Sequence, residues 1–254
     1  MLGFGHSHEA LKYSKKTNGK NPFQDQKVRL AVQKAINAGA LVDIIMRGNA
    51  ETASQLVSPQ MKGFSKPASE RTGFDPDGSK SLLTEAGYAD GFSFGLMCPN
   101  DRYINDEALC KAMAAMLTKA GMRADLNAMP VRNYWKELRA GNFDMYLLGW
   151  SPGTFDAEHP IRFLVTTPNK EKKLGSWNFG GYSNAKVDAL LPQIQREIDP
   201  EKRQGMLDEV AGIVKDDVVY VPLHIQPLLW GSKSNINLTQ RADNFLMLRW
   251  ITVN

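Results

Sequence analysis

Residues 143–156 read FDMYLLGWSPGTFD, and this stretch decides the fold class. Its apolar run at 145–149 carries no charge, which is typical of a strand buried on both faces in a sheet covered by helices. A loop with an indole, hydroxyls and a carboxylate follows the run. Ligands of open α/β sheets bind just beyond the carboxyl ends of strands, so this loop is a candidate ligand site. The alternative is that Trp150 only covers the edge of the core.

The segments before this run alternate between strand and helix patterns. Apolar residues alternate at 92–96 and again at 122–128, as they do in strands. Helical stripes begin after Asn105-Asp106 and after Pro130. Strand, helix, strand, helix, strand at these spacings predicts a βαβαβ unit with right-handed crossovers and a largely parallel sheet.

Further helices are predicted on both sides of this unit. Each has an apolar stripe at helical spacing and a capping residue before it. The predicted caps are Asp25, Asp75, Ser183 and Asp199. A short helical turn is predicted at 41–46, and β patterns return at 218–225, 228–231 and 245–253.

Composition narrows the classes of protein. The chain has 254 residues, of which 43% are apolar and 23% charged, so it can bury a core like an ordinary globular protein. The net charge is +4, and its basic residues are spread among acids, which argues against a nucleic-acid partner. No apolar run approaches the roughly 20 residues of a membrane helix, and residues 1–8 show no signal-peptide pattern.

The two cysteines are too few for a disulfide framework or a zinc site. Cys98 and Cys110 lie 12 positions apart. The expectation for Cys110 is a buried free thiol on a helix face, and a bridge to Cys98 is left open.

Catalytic signatures are missing from the sequence. It contains no Gly-x-Ser-x-Gly motif, no phosphate-binding Gly-Lys-Ser/Thr loop and no dinucleotide fingerprint. The four histidines are scattered, and His6 with His8 lacks a third metal ligand nearby. A pocket-like loop without a nucleophile favours binding over catalysis, with no cofactor and no metal. The alternative is a hydrolase that uses Asp156 and His159.

Eight stretches spread along the chain carry a resemblance to a known family. They are NPFQDQKVR at 21–29, AVQKAIN at 31–37, FDPD at 74–77, LLTEAGYADGF at 82–92, LRAGNFDM at 138–145, GYSNAKVD at 181–188, DPEKR at 199–203 and VPL at 221–223. In this order and spacing they resemble the family 5 extracellular solute-binding proteins of bacterial ABC importers. That family includes dipeptide-, oligopeptide-, glutathione- and nickel-binding receptors.

The resemblance implies a fold and a division into domains. Family members have two lobes and are about twice this long, and the matching stretches fall in their C-terminal half. Residues 1–227 would then form one lobe of a type II periplasmic binding protein, an α/β fold with a mostly parallel central sheet flanked by helices. Residues 228–254 would be the hinge crossover and a β tail that belongs to the missing N-terminal lobe. Without that lobe the tail is expected to pack on its own lobe, to disorder or to pair with a second copy.

The resemblance also implies ligand-binding residues. Residues 98–103 resemble the family segment whose arginine and tyrosine face the ligand, here Arg102 and Tyr103, and Arg102 offers a forked donor for a carboxylate. The alternative for this segment is a surface turn. Trp150 matches the family tryptophan that flanks the cleft. Peptide-binding members place an aspartate shortly afterwards to hold the ligand's ammonium group, whereas this chain has Gly153 there and Asp156 three residues later.

Thr154 and Asn178 complete the predicted ligand-binding set. The implied mechanism is capture of a small molecule or peptide by two lobes that close about a hinge, followed by docking on ABC permease subunits in the periplasm. No bond is made or broken. Besides the hydrolase, a purely structural interaction domain is the remaining alternative.

Overall fold

A mixed five-stranded sheet lies at the centre of the chain, of which the computed structural model describes residues 1–17 and 19–254. The strands are β1 (Leu2–Phe4), β2 (Glu51–Thr52), β3 (Phe92–Pro99), β4 (Met122–Met129), β5 (Met145–Leu147), β6 (Tyr220–Val221), β7 (His224–Ile225), β8 (Ile236–Asn237) and β9 (Thr252–Val253). The helices are α1 (Gln26–Ala35), α2 (Ala38–Ala40), α3 (Pro76–Glu85), α4 (Asp106–Lys119), α5 (Val131–Arg139), α6 (Glu158–Pro160), α7 (Ala185–Arg196) and α8 (Pro200–Asp216). Wider π-helical turns, Leu41–Ile45 and Ile161–Val165, continue α2 and α6.

The order of the central sheet is β4-β3-β5-β1-β6. Strand β3 pairs in parallel with β4 and β5, which confirms the predicted unit of β3, α4, β4, α5 and β5. Strand β1 is antiparallel to both β5 and β6, so it alone runs against the other four strands of this sheet. It was not predicted, because three residues are too few to show a period and both partners lie far away in sequence.

Strand β5 is buried on both faces, as its uncharged run predicts. Met145 and Leu147 join a core cluster with α1 and α4, whereas Tyr146 joins a second cluster with α5, α7 and α8. The two clusters therefore cover opposite faces of the sheet, because successive side chains of a strand alternate. The fold is helix, sheet, helix in three layers.

Capping residues begin the helices outside the βαβαβ unit, as predicted for three of the four. At the predicted cap Asn105-Asp106 of α4, the side chain of the N-cap residue Asn105 forms no capping hydrogen bond. The carboxylates of Asp25, Asp75 and Asp199 accept hydrogen bonds from backbone N–H groups in the first turns of α1, α3 and α8. The prediction for Ser183 is wrong, because the side chain of Asn184 caps α7 while the Ser183 hydroxyl bonds to Thr167. Among the described residues, no helix combines the length and apolar character needed to cross a bilayer.

Cys98 and Cys110 form a disulfide, so the expectation of a free thiol at Cys110 is wrong. Cys98 lies near the end of β3 and Cys110 in the second turn of α4, with their Cα atoms 6.6 Å apart. Both are fully buried. Spacing in sequence could not show that this helix packs back onto the end of the strand that precedes it.

Residues 228–254 form little regular structure. The predicted strand at 228–231 does not form, and the predicted strand at 245–253 is confined to β9, which pairs only with β8. Leu229, Phe245 and Leu248 are 70%, 69% and 74% exposed. An alternating pattern yields a strand only where a sheet can pair with it and cover it, and the central sheet ends at β6. The domain boundary at 227/228 stays a prediction.

Candidate functional site

Two neighbouring loops leave the carboxyl edge of the sheet. The chain runs from β3 outward to β4 and returns past β3 to β5. The helices after β3 and after β5 therefore pack on opposite faces, α4 in the first cluster and α7 and α8 in the second. A reversal of strand order of this kind leaves a crevice where ligands bind. We call residues 100–105 the β3 loop and residues 148–157 the β5 loop.

A hydrogen bond joins the two loops. The backbone N–H of Gly149 donates to the hydroxyl oxygen of Tyr103 at 2.9 Å. A Cβ atom at Gly149 would lie 2.5 Å from the Tyr103 ring, so only glycine allows this approach. Burial raises the pKa of the Tyr103 phenol, which therefore stays neutral at pH 7. The structure thus brings the predicted residues Tyr103 and Trp150 to one sheet edge.

A buried carboxylate fixes the backbone of the β3 loop. Asp106 is 3% exposed, and it accepts hydrogen bonds from the N–H groups of Arg102, Tyr103 and Glu107, each at 2.9 Å. The sequence predicts Asp106 only as part of a helix cap. An aspartate at the start of a helix that follows a short loop was the one signal that could have indicated this second role.

Three further contacts hold the same loop. Asn105 has a left-handed φ of 57°, and its side chain donates to the Ile45 carbonyl at 2.9 Å. The Ile104 N–H donates to the Gln226 side chain at 3.3 Å. The disulfide between Cys98 and Cys110 closes the chain around the loop. The β3 loop is therefore arranged before any ligand arrives.

Arg102 projects from this loop into solvent. Its guanidinium lies 5.2 Å from the centre of the Tyr103 ring, a cation–π distance. In the part of the chain that the structure describes, it forms no ion pair. Its donors are free to bind a carboxylate.

Trp150 packs in a cluster of half-buried aromatic side chains. Its ring centroid lies 5.3 Å from that of His159, 5.5 Å from Trp177 and 6.0 Å from Phe163. The indole Nε1 is buried and has no acceptor among the described residues. One side of the indole therefore belongs to the second core cluster, at the point where β5 ends.

The middle of the β5 loop is open. Gly153 and Thr154 are exposed, and apart from Gly153 and its chain neighbours no atom of the described residues lies within 4 Å of a Cβ built on Gly153. Phe155 follows with a left-handed φ of 52° and 37% exposure, which is uncommon for a bulky residue. The sequence did not single out Phe155, and backbone strain of this kind leaves no signal in composition or spacing.

Asp156 anchors the far end of the β5 loop. It accepts a hydrogen bond from Arg203 of α8 at 2.9 Å, with side-chain exposures of 17% and 14%, and another from the Glu158 N–H. Burial acts to raise the pKa of Asp156, but the hydrogen bonds from Arg203 and the Glu158 N–H, together with the charges of Arg203 and Lys62, outweigh it and lower that pKa. The carboxylate is committed to this contact rather than to the open side of the loop.

Asp156 and His159 do not form the pair that the hydrolase alternative requires. The backbone N–H of His159 donates to the backbone carbonyl of Asp156 at 3.2 Å, but no hydrogen bond joins the two side chains. Burial lowers the pKa of His159, and its Nδ1 has no partner among the described residues. The Asp156 carboxylate bonds to Arg203 instead, so the geometry gives no support to this alternative.

Asn178 lies inside the lobe, 5% exposed. Its amide donates to the carbonyls of Thr166 and Tyr182 at 3.0 and 2.8 Å and accepts from the Tyr182 N–H at 3.1 Å. Both of its donors are used to close the turn before α7. In residues 1–17 and 19–254, no group of three or more His, Cys, Asp or Glu side chains could hold a metal ion.

The architecture is that of one lobe of a type II periplasmic binding protein, as the solved structures show. Peptide-bound DppA from Helicobacter pylori matches with a TM-score of 0.72 and 22% identity over 88% of this chain and 41% of its own. NikA from Staphylococcus aureus, in complex with Ni(L-His)2, matches with a TM-score of 0.78 and 16% identity over 100% of this chain and 50% of its own.

Residues 5–172 match the sequence model for bacterial extracellular solute-binding proteins, family 5 Middle, and the chain belongs to this family. Members of the family are transport binding proteins and not enzymes. The glutathione-binding protein GsiB of Escherichia coli (strain K12) is 28% identical over 222 residues, which are 85% of this chain and 42% of that protein. GsiB of Shigella flexneri is 27% identical over 220 residues, again 42% of its length. The chain thus spans less than half the length of these curated relatives.

Proposed function

We propose that this chain is the C-terminal ligand-binding lobe of a periplasmic receptor that captures a small solute, a peptide or a related compound, for an ABC importer. The family match over residues 5–172 is the observation that carries the proposal. Relatives named for glutathione binding and a structural neighbour with a bound peptide support this ligand class. Binding in a cleft between two lobes would bury the ligand, and the closed form would dock on the permease subunits.

Within the lobe, we assign ligand contact to the β3 and β5 loops. Arg102 binds a carboxylate of the ligand, because its guanidinium is exposed and free of ion pairs. Tyr103 and Trp150 form the wall beside it. Gly153 and Thr154 line the open side of the β5 loop, where nothing in the described chain fills the space beside Gly153.

Asp156 and Asn178 were predicted to contact the ligand, but we exclude them from the proposed contact residues. The Asp156 carboxylate is held by Arg203, and both amide donors of Asn178 are used inside the lobe. At position 153, where peptide-binding members place an aspartate, this chain has glycine. The β5 loop therefore offers no free carboxylate to a ligand ammonium group. We infer that the ligand is selected by its carboxylate and its apolar surface rather than by a terminal ammonium group.

The tail and the disulfide support the remaining parts of the proposal. Exposed apolar side chains at 245–253 suit a segment that crosses into an N-terminal lobe and is covered there. The buried disulfide suits the oxidising periplasm. A nucleic-acid partner remains disfavoured by the mixed charge of the chain.

Calorimetry with di- and tripeptides and glutathione tests this function. The chain alone supplies part of the contacts, so we expect weak binding that tightens by about 100-fold or more when the N-terminal lobe of GsiB is fused to it. Arg102→Ala should weaken the fused receptor about tenfold, whereas Arg196→Ala, an exposed arginine at the end of α7, should not. Tight, stoichiometric binding of a peptide by the unfused chain would contradict the two-lobed mechanism.

A further inference from the structure

A groove lies on one face of the central sheet, beside the outermost strand β4. It holds about 510 Å³, and none of its lining residues belongs to the β3 loop or the β5 loop. Gly95 and Met97 of β3 and residues 125–127 of β4 line it from the sheet, and residues 12–15 form one wall. We call this region the β4 groove.

Backbone hydrogen bonds fix the wall of the β4 groove to the sheet. The fully buried carboxylate of Asp144 accepts from the N–H groups of Lys12 and Tyr13 at 2.6 and 3.1 Å. A third bond to this carboxylate, at 2.8 Å, comes from the Gly95 N–H in β3. Lys15 pairs with β3 through two backbone hydrogen bonds of 3.1 and 3.3 Å. The side chains of the wall therefore project from a backbone that is arranged before any partner arrives.

Tyr13 presents a free aromatic side chain at this wall. It is 49% exposed, and its hydroxyl forms no hydrogen bond with the described residues. A Cβ atom at Gly95 would lie 3.0 Å from the Cβ atom of Tyr13, so the glycine lets the two residues pack this closely. A tyrosine that is half exposed on a rigid backbone is typical of an anchor residue in a protein interface.

The wall of the β4 groove is basic. The segment that forms and follows it carries four exposed lysines, Lys12, Lys15, Lys16 and Lys20. None of the four forms an ion pair in the described part of the chain. Asp125, the one carboxylate among the described lining residues, is already paired with Arg123 at 2.9 Å. Charge complementarity therefore favours an acidic partner.

Strand β4 offers a free backbone edge beside the groove. Its eight residues pair with β3 on one side, and it ends the sheet on the other. Among the described residues, the only other backbone hydrogen bond to β4 comes from Asn100 of the β3 loop. An open edge of this kind can pair with an extended segment, whose main chain supplies affinity while its alternate side chains supply specificity.

We propose that the β4 groove docks an extended, acidic segment of a partner protein. The segment adds to β4 as a further strand, its acidic side chains lie towards Lys12 and Lys15, and an aromatic side chain packs in the groove with Tyr13. An anionic lipid surface would use the lysines but not the backbone edge of β4. The groove is separate from the two ligand loops, so the proposal does not depend on the proposed receptor function.

Fluorescence anisotropy with a labelled, end-blocked peptide, ETETFTETE, tests the proposal on the full chain. In an extended strand, its glutamates and its phenylalanine share one face. We expect binding that weakens as the salt concentration rises. The charge-reversed peptide KTKTFTKTK should not bind. ETEPFPETE keeps the charges but lacks two backbone N–H groups, so it should bind at least about tenfold more weakly.

Two substitutions in the wall extend the test. Lys15→Glu should weaken binding of ETETFTETE about tenfold, whereas Lys172→Glu, which makes the same change in an exposed turn outside the groove, should not. Tyr13→Ala should also weaken binding about tenfold, because it removes the aromatic anchor. Arg102→Ala should leave binding unchanged, which separates this groove from the ligand loops.

The comparison of peptides on the unsubstituted chain does not depend on the folding of any variant. Absence of binding by ETETFTETE, or equal binding of ETETFTETE and ETEPFPETE, would overturn the proposal. Equal losses in folded Lys15→Glu and Lys172→Glu would do the same. Binding of the chain to phosphatidylglycerol vesicles without binding of the peptide would assign the lysines to a membrane surface, which also contradicts a protein partner.

Discussion

The β3 loop and the β5 loop leave the same edge of the sheet but are held in different ways. Asp106 binds the β3 loop along its backbone, and the disulfide closes it. The β5 loop is fixed at Gly149 by Tyr103 and at 155–157, where the Lys62 backbone bonds to the backbone of Phe155 and Ala157 and Arg203 bonds to the Asp156 carboxylate; the side chains of 153–155 are exposed. The β3 loop therefore presents the charge of Arg102 from a fixed backbone, whereas the exposed part of the β5 loop can adapt to a ligand. In the proposed receptor, ligand selectivity would therefore lie mainly in the β5 loop.

The anchor of the β5 loop should give the largest effect. Asp156→Ala leaves the nearly buried Arg203 without its carboxylate, so the free energy of unfolding should fall by about 3 kcal/mol in urea denaturation. The matched control is Asp125→Ala, which breaks an equally short pair with Arg123 whose side chains are 47% and 73% exposed. Its effect should be small, because solvent screens exposed pairs. Equal losses in the two variants would contradict the anchoring role.

Removal of the disulfide should loosen the β3 loop. The double variant Cys98→Ala/Cys110→Ala opens a ring of 13 residues, and we expect a loss of about 3 kcal/mol on unfolding in urea. Reductant should bring the unsubstituted chain to a similar stability and leave the double variant unchanged. Hydrogen exchange should quicken at 100–105 and stay constant at 148–157. An equal increase of hydrogen exchange in both loops would contradict the conclusion that the disulfide holds the β3 loop and not the β5 loop.

The hydrogen bond between the loops should have a smaller effect. Tyr103→Phe removes the acceptor of the Gly149 N–H, so we expect a loss of about 1 kcal/mol and faster exchange of that amide. Tyr13→Phe is the control, because Tyr13 is 49% exposed and its hydroxyl forms no hydrogen bond with the described residues. An unchanged Gly149 amide in Tyr103→Phe would show that the two loops are not coupled through this bond.

Acid should affect the β5 loop more than the β3 loop. Burial lowers the pKa of His159, which packs on Trp150, so the folded chain disfavours its protonated form. The stability that depends on neutral His159 is complete above its ordinary pKa of about 6.5 and is lost as the pH falls below that value. Hydrogen exchange, corrected for its intrinsic pH dependence, should therefore show more opening at 148–157 at pH 5 than at pH 7. His159→Gln should remove most of this difference, and an unchanged profile in that variant would assign it to another group.

Local patterns in the sequence determined much of the fold. Alternation at β3 and β4, the uncharged run at β5 and the carboxylate caps before α1, α3 and α8 each depend on residues within a few positions. The eight family stretches pointed to the same lobe. Such features are readable because periodicity and capping are properties of a short segment.

Tertiary structure alone decided which distant groups meet. Arg203 is 47 residues from Asp156, and it converts a candidate ligand carboxylate into a loop anchor. The pairing of Cys98 with Cys110 and the insertion of β1 between β5 and β6 likewise depend on how the elements pack. The sequence around a charged residue or a cysteine does not show which residue it pairs with, because packing of the whole chain brings the two partners together.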